Sequence, residues 1–307
     1  VKQVFPEESK EQMLQLVKNL SEALKTRIEN LEWMSPETKA KALAKWKTFD
    51  PKIGYPDKWR DYSGLTIDPA KSYFDNLIAA TAFENAFQMS KIGKPADRKE
   101  WGMTPQTVNA YYNPLKNEIV FPAAILQSPF FDAKADPALN YGGIGAVIGH
   151  EMLHGYDDQG SQFDEKGNLV EWWTKDDRSR FLERTGSIVR QFNEYKVLDS
   201  LQVNGEATQG ENIADLGGML LGLEAFKKTE QYKAGKEIGG FTPVQRYFIG
   251  FALSWYGQYR PEALAVRIKT DVHAPNFLRV NGPPVNIDEF YTAFNVQPGD
   301  KMYRPDS

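Results

Sequence analysis

Only three histidines occur among the 307 residues, and two of them stand four apart in His150-Glu151-Met152-Leu153-His154. Residues i and i+4 lie ~40° apart around a helix, so both imidazoles project from one face and can share a zinc ion. Glu151 is offset by about 100° from His150, near enough to reach an attacking water without ligating the metal itself. A catalytic zinc takes three protein ligands and keeps a fourth position open. One motif class supplies the third ligand in H-E-x-x-H-x-x-G-x-x-H, but here the relevant positions hold Asp157 and Gly160, which excludes it. The other common source is a glutamate on a separate downstream helix. Glu211-Asn212-Ile213-Ala214-Asp215 presents two carboxylates four apart on one helix face, one for the metal and the other to support its ligands. Alone, such a pair is most often a solvated helix face. After an H-E-x-x-H, and followed by Leu216-Gly217-Gly218, it is the best ligand candidate.

The third histidine lies in Lys269-Thr270-Asp271-Val272-His273-Ala274-Pro275, with Arg279 shortly after. A lone histidine is usually structural. Here Asp271 precedes His273 by two residues, which in an extended segment puts both side chains on one face. A carboxylate so placed can keep the imidazole oriented or protonated, able to donate to the oxyanion of a tetrahedral intermediate.

Helices must position these groups. Met13, Leu16, Val17, Leu20, Leu24, Ile28 and Leu31 give residues 8–33 the spacing of an amphipathic helix. Ser35-Pro36-Glu37 starts a second helix, which Asp50-Pro51 breaks. A third is expected over 68–91, using Tyr73, Phe74, Leu77, Ile78, Ala80 and Phe87. Val108–Tyr112 and Glu118–Phe121 flank a Pro/Asn turn and read as a hairpin. Gly142–Gly149 reads as a buried helix whose glycines, poor helix formers, let neighbouring backbone come close. Further helices are expected at 174–196, 211–229 and 243–259. The class is α+β and mostly helical, with a helical segment over 1–100 and the chemistry in 101–307.

Composition limits the alternatives. With 41% apolar and 25% charged residues the chain is expected to be a soluble globular protein. No run approaches the ~20 apolar residues of a membrane span, and Val1 opens no signal segment. A net charge of −4 without long single-sign blocks gives little support to nucleic-acid binding. The absence of cysteine removes disulfides, thiolate ligands and a cysteine nucleophile, and leaves the compartment open between secreted, periplasmic and cytoplasmic.

The runs Val108–Tyr112, Ile119–Ala123, Asn140–Gly145, Val147–Glu151, Gly210–Asp215 and Ile268–His273 resemble the neprilysin family of zinc endopeptidases, in that family's order. The first hundred residues resemble it too, at Glu8-Ser9-Lys10 and Ile53-Gly54-Tyr55-Pro56-Asp57. The resemblance implies a thermolysin-like (gluzincin) catalytic domain with a small β-sheet edge and flanking helices. It implies that His150, His154 and Glu211 bind one zinc per chain and that Glu151 is the general base. Asp215 would support the ligands, a residue sometimes described in this family as a proton donor. His273, oriented by Asp271, would stabilise the transition state. Asn109 and Ala110 would hold a peptide substrate like an added strand, which also fits an exposed hairpin edge. Arg279 would hold a substrate carbonyl or C-terminal carboxylate. Ile125, Phe130, Ala146, Val147 and Trp255 would line the pocket after the scissile bond, favouring a large apolar side chain there. Each of the five is also plausible as plain core.

Two departures stand out. Family members are commonly much longer, with a helical upper domain that caps the site. This chain resembles their C-terminal part, which leaves an N-terminal fragment of the same protein as a partner that would complete the cap. The family's usual Trp-containing tail is replaced by Met302-Tyr303-Arg304-Pro305-Asp306-Ser307. The lack of cysteine points to bacterial-type members. Two alternatives remain: another zinc hydrolase such as an aminopeptidase, whose usual Gly-x-Met-x-Asn sequence is missing, and a catalytically idle peptide-binding module, which would not need Glu151.

Overall fold

A computed structural model describes residues 4–304; Val1 and the last three tail residues lie outside them. In chain order the elements are α1 (Glu7–Asn30), α2 (Pro36–Lys47), β1 (Asp50–Gly54), α3 (Tyr73–Met89), β2 (Tyr111–Asn113) and β3 (Glu118–Pro122). There follow α4 (Pro137–Asn140), a π-helical turn over Tyr141–Gly145, α5 (Ala146–Leu153), α6 (Lys175–Asn193), β4 (Lys196–Val197), β5 (Leu201–Gln202) and α7 (Gln209–Lys227). The chain closes with α8 (Glu230–Ala234), α9 (Pro243–Ser254), α10 (Pro261–Thr270), α11 (Asn276–Asn281) and α12 (Asp288–Phe294). Among the described residues no helix is long and apolar enough to cross a membrane.

The chain divides into two units, one of residues 1–54 with 105–307 and one of 55–104. This differs from a division at residue 100, and the reason is physical. α1 buries Met13, Leu16, Val17, Leu20, Leu24 and Ile28 and packs on α2 and α7. After α2 the chain does not simply break at Asp50-Pro51. It runs on as β1, pairing parallel to β3 from Asp50↔Glu118 to Gly54↔Pro122. A parallel partner distant in sequence leaves no local hairpin signal, so β1 was not visible beforehand. The hairpin itself is shorter than its sequence suggests, pairing Tyr111↔Val120 to Asn113↔Glu118. The strand order β1-β3-β2 makes β2 an edge.

In the larger unit α5 packs along α7, with α9 against the π-helical turn. The helix expected over 243–259 stops at Ser254, and Pro261 starts a separate helix, α10. Ile188 and Phe192 of α6, Val197 of β4, Leu278 of α11, and the flanking Val203 and Ala274 form an apolar cluster. The smaller unit is built around α3, capped by Ser72, whose hydroxyl accepts from the Asp75 N–H. Arg60 lies 3.9 Å over the Phe87 ring and pairs with Glu84 at 2.6 Å. Tyr73, Phe74, Leu77 and Ile78 are exposed, so the apolar spacing of α3 is not a buried stripe here.

Candidate metal centre and active site

The site depends on how closely α5 approaches α7. A Cβ on Gly218 would stand 2.5 Å from the Ala146 carbonyl oxygen and the His150 nitrogen, and one on Gly149 would stand 2.7 Å from the Gly218 backbone. Only hydrogen fits at these positions. The close crossing sets His150 and His154 of α5 against Glu211 and Asp215 of α7.

The Nε2 atoms of His150 and His154 are 2.9 Å apart. Glu211 Oε2 lies 3.2 Å from His150 Nε2 and 3.7 Å from His154 Nε2. Zinc bonds of about 2.0–2.1 Å at tetrahedral angles imply ligand atoms ~3.3 Å apart, so the three observed separations suit one zinc ion. Two further observations test the fit. Glu211 Oε2 is buried and has no hydrogen-bond partner. His150 Nδ1 is 2.8 Å from Asp215 Oδ1 and His154 Nδ1 is 2.6 Å from Asp157 Oδ2. A carboxylate at each Nδ1 draws the proton there, so both Nε2 lone pairs face the same carboxylate oxygen. Such a set repels itself unless a cation lies among its members. The residues fit zinc.

Charge is distributed accordingly. Burial alone would pull the His150 pKa down, but the carboxylates of Asp215 and Glu211 at its ring nitrogens and the charges of Asp215 and Glu151 outweigh it and raise it to about 10. Without a metal, a proton takes the cation's place. Burial also works against ionised Glu211, yet the imidazoles of His150 and His273 beside it hold its carboxyl well below the ordinary carboxylate range. Asp215 is more deeply buried, which by itself would raise its pKa, but the Arg279 guanidinium and His150 outweigh this and hold it down. Glu151 behaves oppositely: burial raises its pKa, and the nearby histidines only partly offset this. Among the described residues no group hydrogen-bonds its carboxylate.

His273 brings its Nε2 to 3.1 Å from Glu211 Oε2. Asp271 Oδ1 accepts from the His273 backbone N–H at 2.9 Å and lies 2.7 Å from its Nδ1. Arg267 holds the other Asp271 oxygen at 2.5 Å. Burial opposes the protonated imidazole, but Glu211 and then Asp271 raise its pKa, while Arg279 lowers it.

Arg279 donates through Nε and Nη2 to the two oxygens of Asp215, each at 2.7 Å, and its guanidinium lies 3.8 Å over the Trp255 ring. Asn109 is exposed and Ala110 buried, immediately before the edge strand β2. Ala146 and Val147 lie about one turn before His150 on α5, and Trp255 follows α9. Ile125 is buried; Phe130 and Val147 are half-buried, and the Phe130 carbonyl accepts from the Ile144 N–H at 2.8 Å.

One polar partner was missed in sequence. Asp157 orients His154, and the only signal was a carboxylate three residues after a candidate ligand histidine.

A family model described as peptidase family M13 matches residues 109–307, and a second of the same description matches residues 1–56. The residues between, 57–108, nearly coincide with the smaller unit. A neutral endopeptidase of Lactobacillus helveticus is 38% identical over 98% of this chain and 45% of its own length. Neprilysin-3 of Drosophila melanogaster is 37% identical over 98% of this chain and 40% of its own. A solved zinc metalloprotease of Mycobacterium tuberculosis, in complex with an inhibitor, is similar with a TM-score of 0.91 at 47% identity. That likeness covers 97% of this chain and 46% of the other. The chain spans less than half the length of each of these relatives, and with a mostly helical gluzincin fold it belongs to peptidase family M13, the family of the neprilysins.

Proposed function

We propose that this chain carries the active site of a zinc endopeptidase that hydrolyses peptides on the amino side of large apolar residues, with one zinc held by His150, His154 and Glu211. The observation that carries the reading is the convergence of two imidazole Nε2 atoms on a buried carboxylate oxygen that no donor satisfies. A zinc ion held by these three residues would supply Lewis acidity, polarising a peptide carbonyl and lowering the pKa of a water towards ~7.

Glu151 takes the proton from the attacking water and passes it to the leaving amine. Its buried setting raises its proton affinity, which suits transfer near neutral pH. His273, its pKa raised by Glu211 and Asp271 against burial, would donate from Nε2 to the oxygen that becomes negative in the tetrahedral intermediate. Asp215 and Asp157 fix the ring tautomers, leaving each Nε2 free to bind. Arg279 keeps Nη1 for a substrate carbonyl or carboxylate, because its other two nitrogens donate to Asp215. A peptide laid along the free edge of β2 would be held at Asn109 and Ala110. Ile125, Phe130, Ala146, Val147 and Trp255 would receive the apolar side chain after the scissile bond.

The test is zinc content by elemental analysis, together with cleavage of a quenched fluorescent peptide before and after chelation. One zinc per chain and chelator-sensitive cutting before an apolar residue is the expected result. A chain that takes up no zinc, or cuts equally well without it, overturns the reading.

A further inference from the structure

We infer that Lys45, on α2, is a positioning residue for the metal ligand His154, acting through the loop that carries Asp157. The inference rests on the zinc reading above.

After His154 the chain folds back on itself so tightly that a Cβ on Gly160 would stand 1.7 Å from the His154 carbonyl oxygen. Inside this turn sits Asp157. Its Oδ2 meets His154 Nδ1, while its Oδ1 accepts the N–H groups of Gln159 at 2.9 Å and Gly160 at 2.7 Å. The Ser161 N–H donates to the Asp157 carbonyl at 3.0 Å. The same Gly160–Ser161 peptide offers its carbonyl on the other side, and there it accepts from Lys45 Nζ at 2.6 Å. Lys45 also donates to the Phe163 carbonyl at 2.8 Å. A path therefore runs by hydrogen bonds from Lys45 through one peptide group to the Asp157 main-chain carbonyl, and from the side chain of that same residue to the His154 imidazole. Bonds made at both ends of a peptide polarise and strengthen each other.

The lysine is itself a built feature. It is 1% exposed, with its ammonium 5.8 Å from the ring centres of Tyr112 and of Tyr156. Among the described residues its hydrogen bonds go only to carbonyls. Burial brings its pKa down to about 8, opposed by the charges of Asp157 and Asp164. A buried ammonium with no carboxylate bonded to it is costly, and methionine would fill the same space without that cost. What methionine cannot supply is the donors that hold the loop.

The experiment uses the whole chain and measures zinc affinity by competition with a chromophoric chelator, with thermal unfolding of the zinc-free protein beside it. Lys45→Met is expected to weaken zinc binding by about 10-fold or more, the usual range for a group that orients a ligand. In an Asp157→Ala background the same substitution is expected to change affinity by less than about twofold, because the path is already cut. A general loss of stability would lower affinity alike in both backgrounds, and that result overturns the inference. So does a Lys45→Met affinity within about twofold of wild type. Should Lys45→Met fail to fold, Lys45→Leu, which likewise removes the donors, is held to the same criteria. Failure of both to fold assigns Lys45 to the fold at large and overturns the inference. A wild-type chain that binds no zinc overturns the functional reading as well, whereas the other outcomes overturn the role of Lys45 alone.

Discussion

His150 and Asp215 are 65 residues apart in the chain and 2.8 Å apart across the contact of α5 with α7. Arg279 grips the same carboxylate through both its oxygens. One buried side chain thus orients the His150 imidazole and neutralises a buried guanidinium. Asp215→Asn keeps the shape but removes the charge. Zinc affinity is expected to fall by about 10- to 100-fold. Arg279 would be left buried without its counter-charge, so unfolding in urea is expected to show a loss of roughly 3 kcal/mol. A variant that loses neither would mean that the contact is incidental.

Glu151→Gln separates metal binding from chemistry. The amide preserves volume, and Glu151 ligates nothing in the proposed set, so zinc content is expected to stay at the wild-type value. Turnover is expected to fall by at least ~10³-fold, because the amide cannot accept the water's proton. Unchanged peptidase rates would remove Glu151 from the role of base.

The ligand candidates were legible before the fold because their chemistry is written in local periodicity. Four-residue spacing on a helix places His150 beside His154 and Glu211 beside Asp215 without knowledge of anything else. What the sequence could not disclose was contact across long separations. β1 pairs parallel to β3, Lys45 reaches Gly160 from 115 residues away, and Asp177 accepts from Ser35, the N-cap of α2, from 142 residues away. None of these leaves a periodic trace. The glycines were a partial exception: Gly142 and Gly149 read as points of close backbone approach. In the structure Gly142 faces the Tyr247 carbonyl and Gly149 faces Gly218. The exposed apolar residues of α3 mark the opposite limit, since spacing alone does not say that a face is covered.

His273→Ala tests the transition-state role. His273 touches Glu211 but lies outside the group formed by His150, His154 and Glu211. The expected outcome is a drop in kcat of roughly 10²- to 10³-fold, with zinc content retained and a smaller change in KM. Loss of metal instead would place His273 among the ligands.

Acid sensitivity is expected at a site remote from the metal. Asp177 is fully buried on α6 and accepts from the Ser35 N–H at 3.1 Å and the Thr38 hydroxyl at 2.6 Å, which ties down the start of α2. Burial alone would raise its pKa, but the hydrogen bonds from Ser35, Thr38 and Thr174 outweigh it and bring it down from 3.8 to about 2. A folded pKa below the unfolded one adds stability that is present above pH ~4 and lost as pH falls towards ~2. Thermal midpoints measured across that window should decline in the wild type and decline less steeply in Asp177→Asn. Equal slopes would show that other carboxylates govern acid unfolding.

The crossing of α5 with α7 offers the most direct test of how packing makes the site. Gly218→Ala adds one methyl group where the neighbours are backbone atoms of Ala146 and His150, which no rotamer change can move aside. The helices must separate, at a cost of about 1–3 kcal/mol in stability. Because His150 is on one helix and Glu211 on the other, separation also spreads the ligand atoms, and zinc affinity should fall together with stability. Gly186→Ala on α6 is the control. There the nearest atom to the new methyl group is the far end of the Arg190 side chain at 3.4 Å, so the gain in helix propensity should leave the protein as stable or up to ~1 kcal/mol more so. If Gly218→Ala bound zinc as tightly as wild type, close approach of α5 to α7 would not be what brings His150 and Glu211 together.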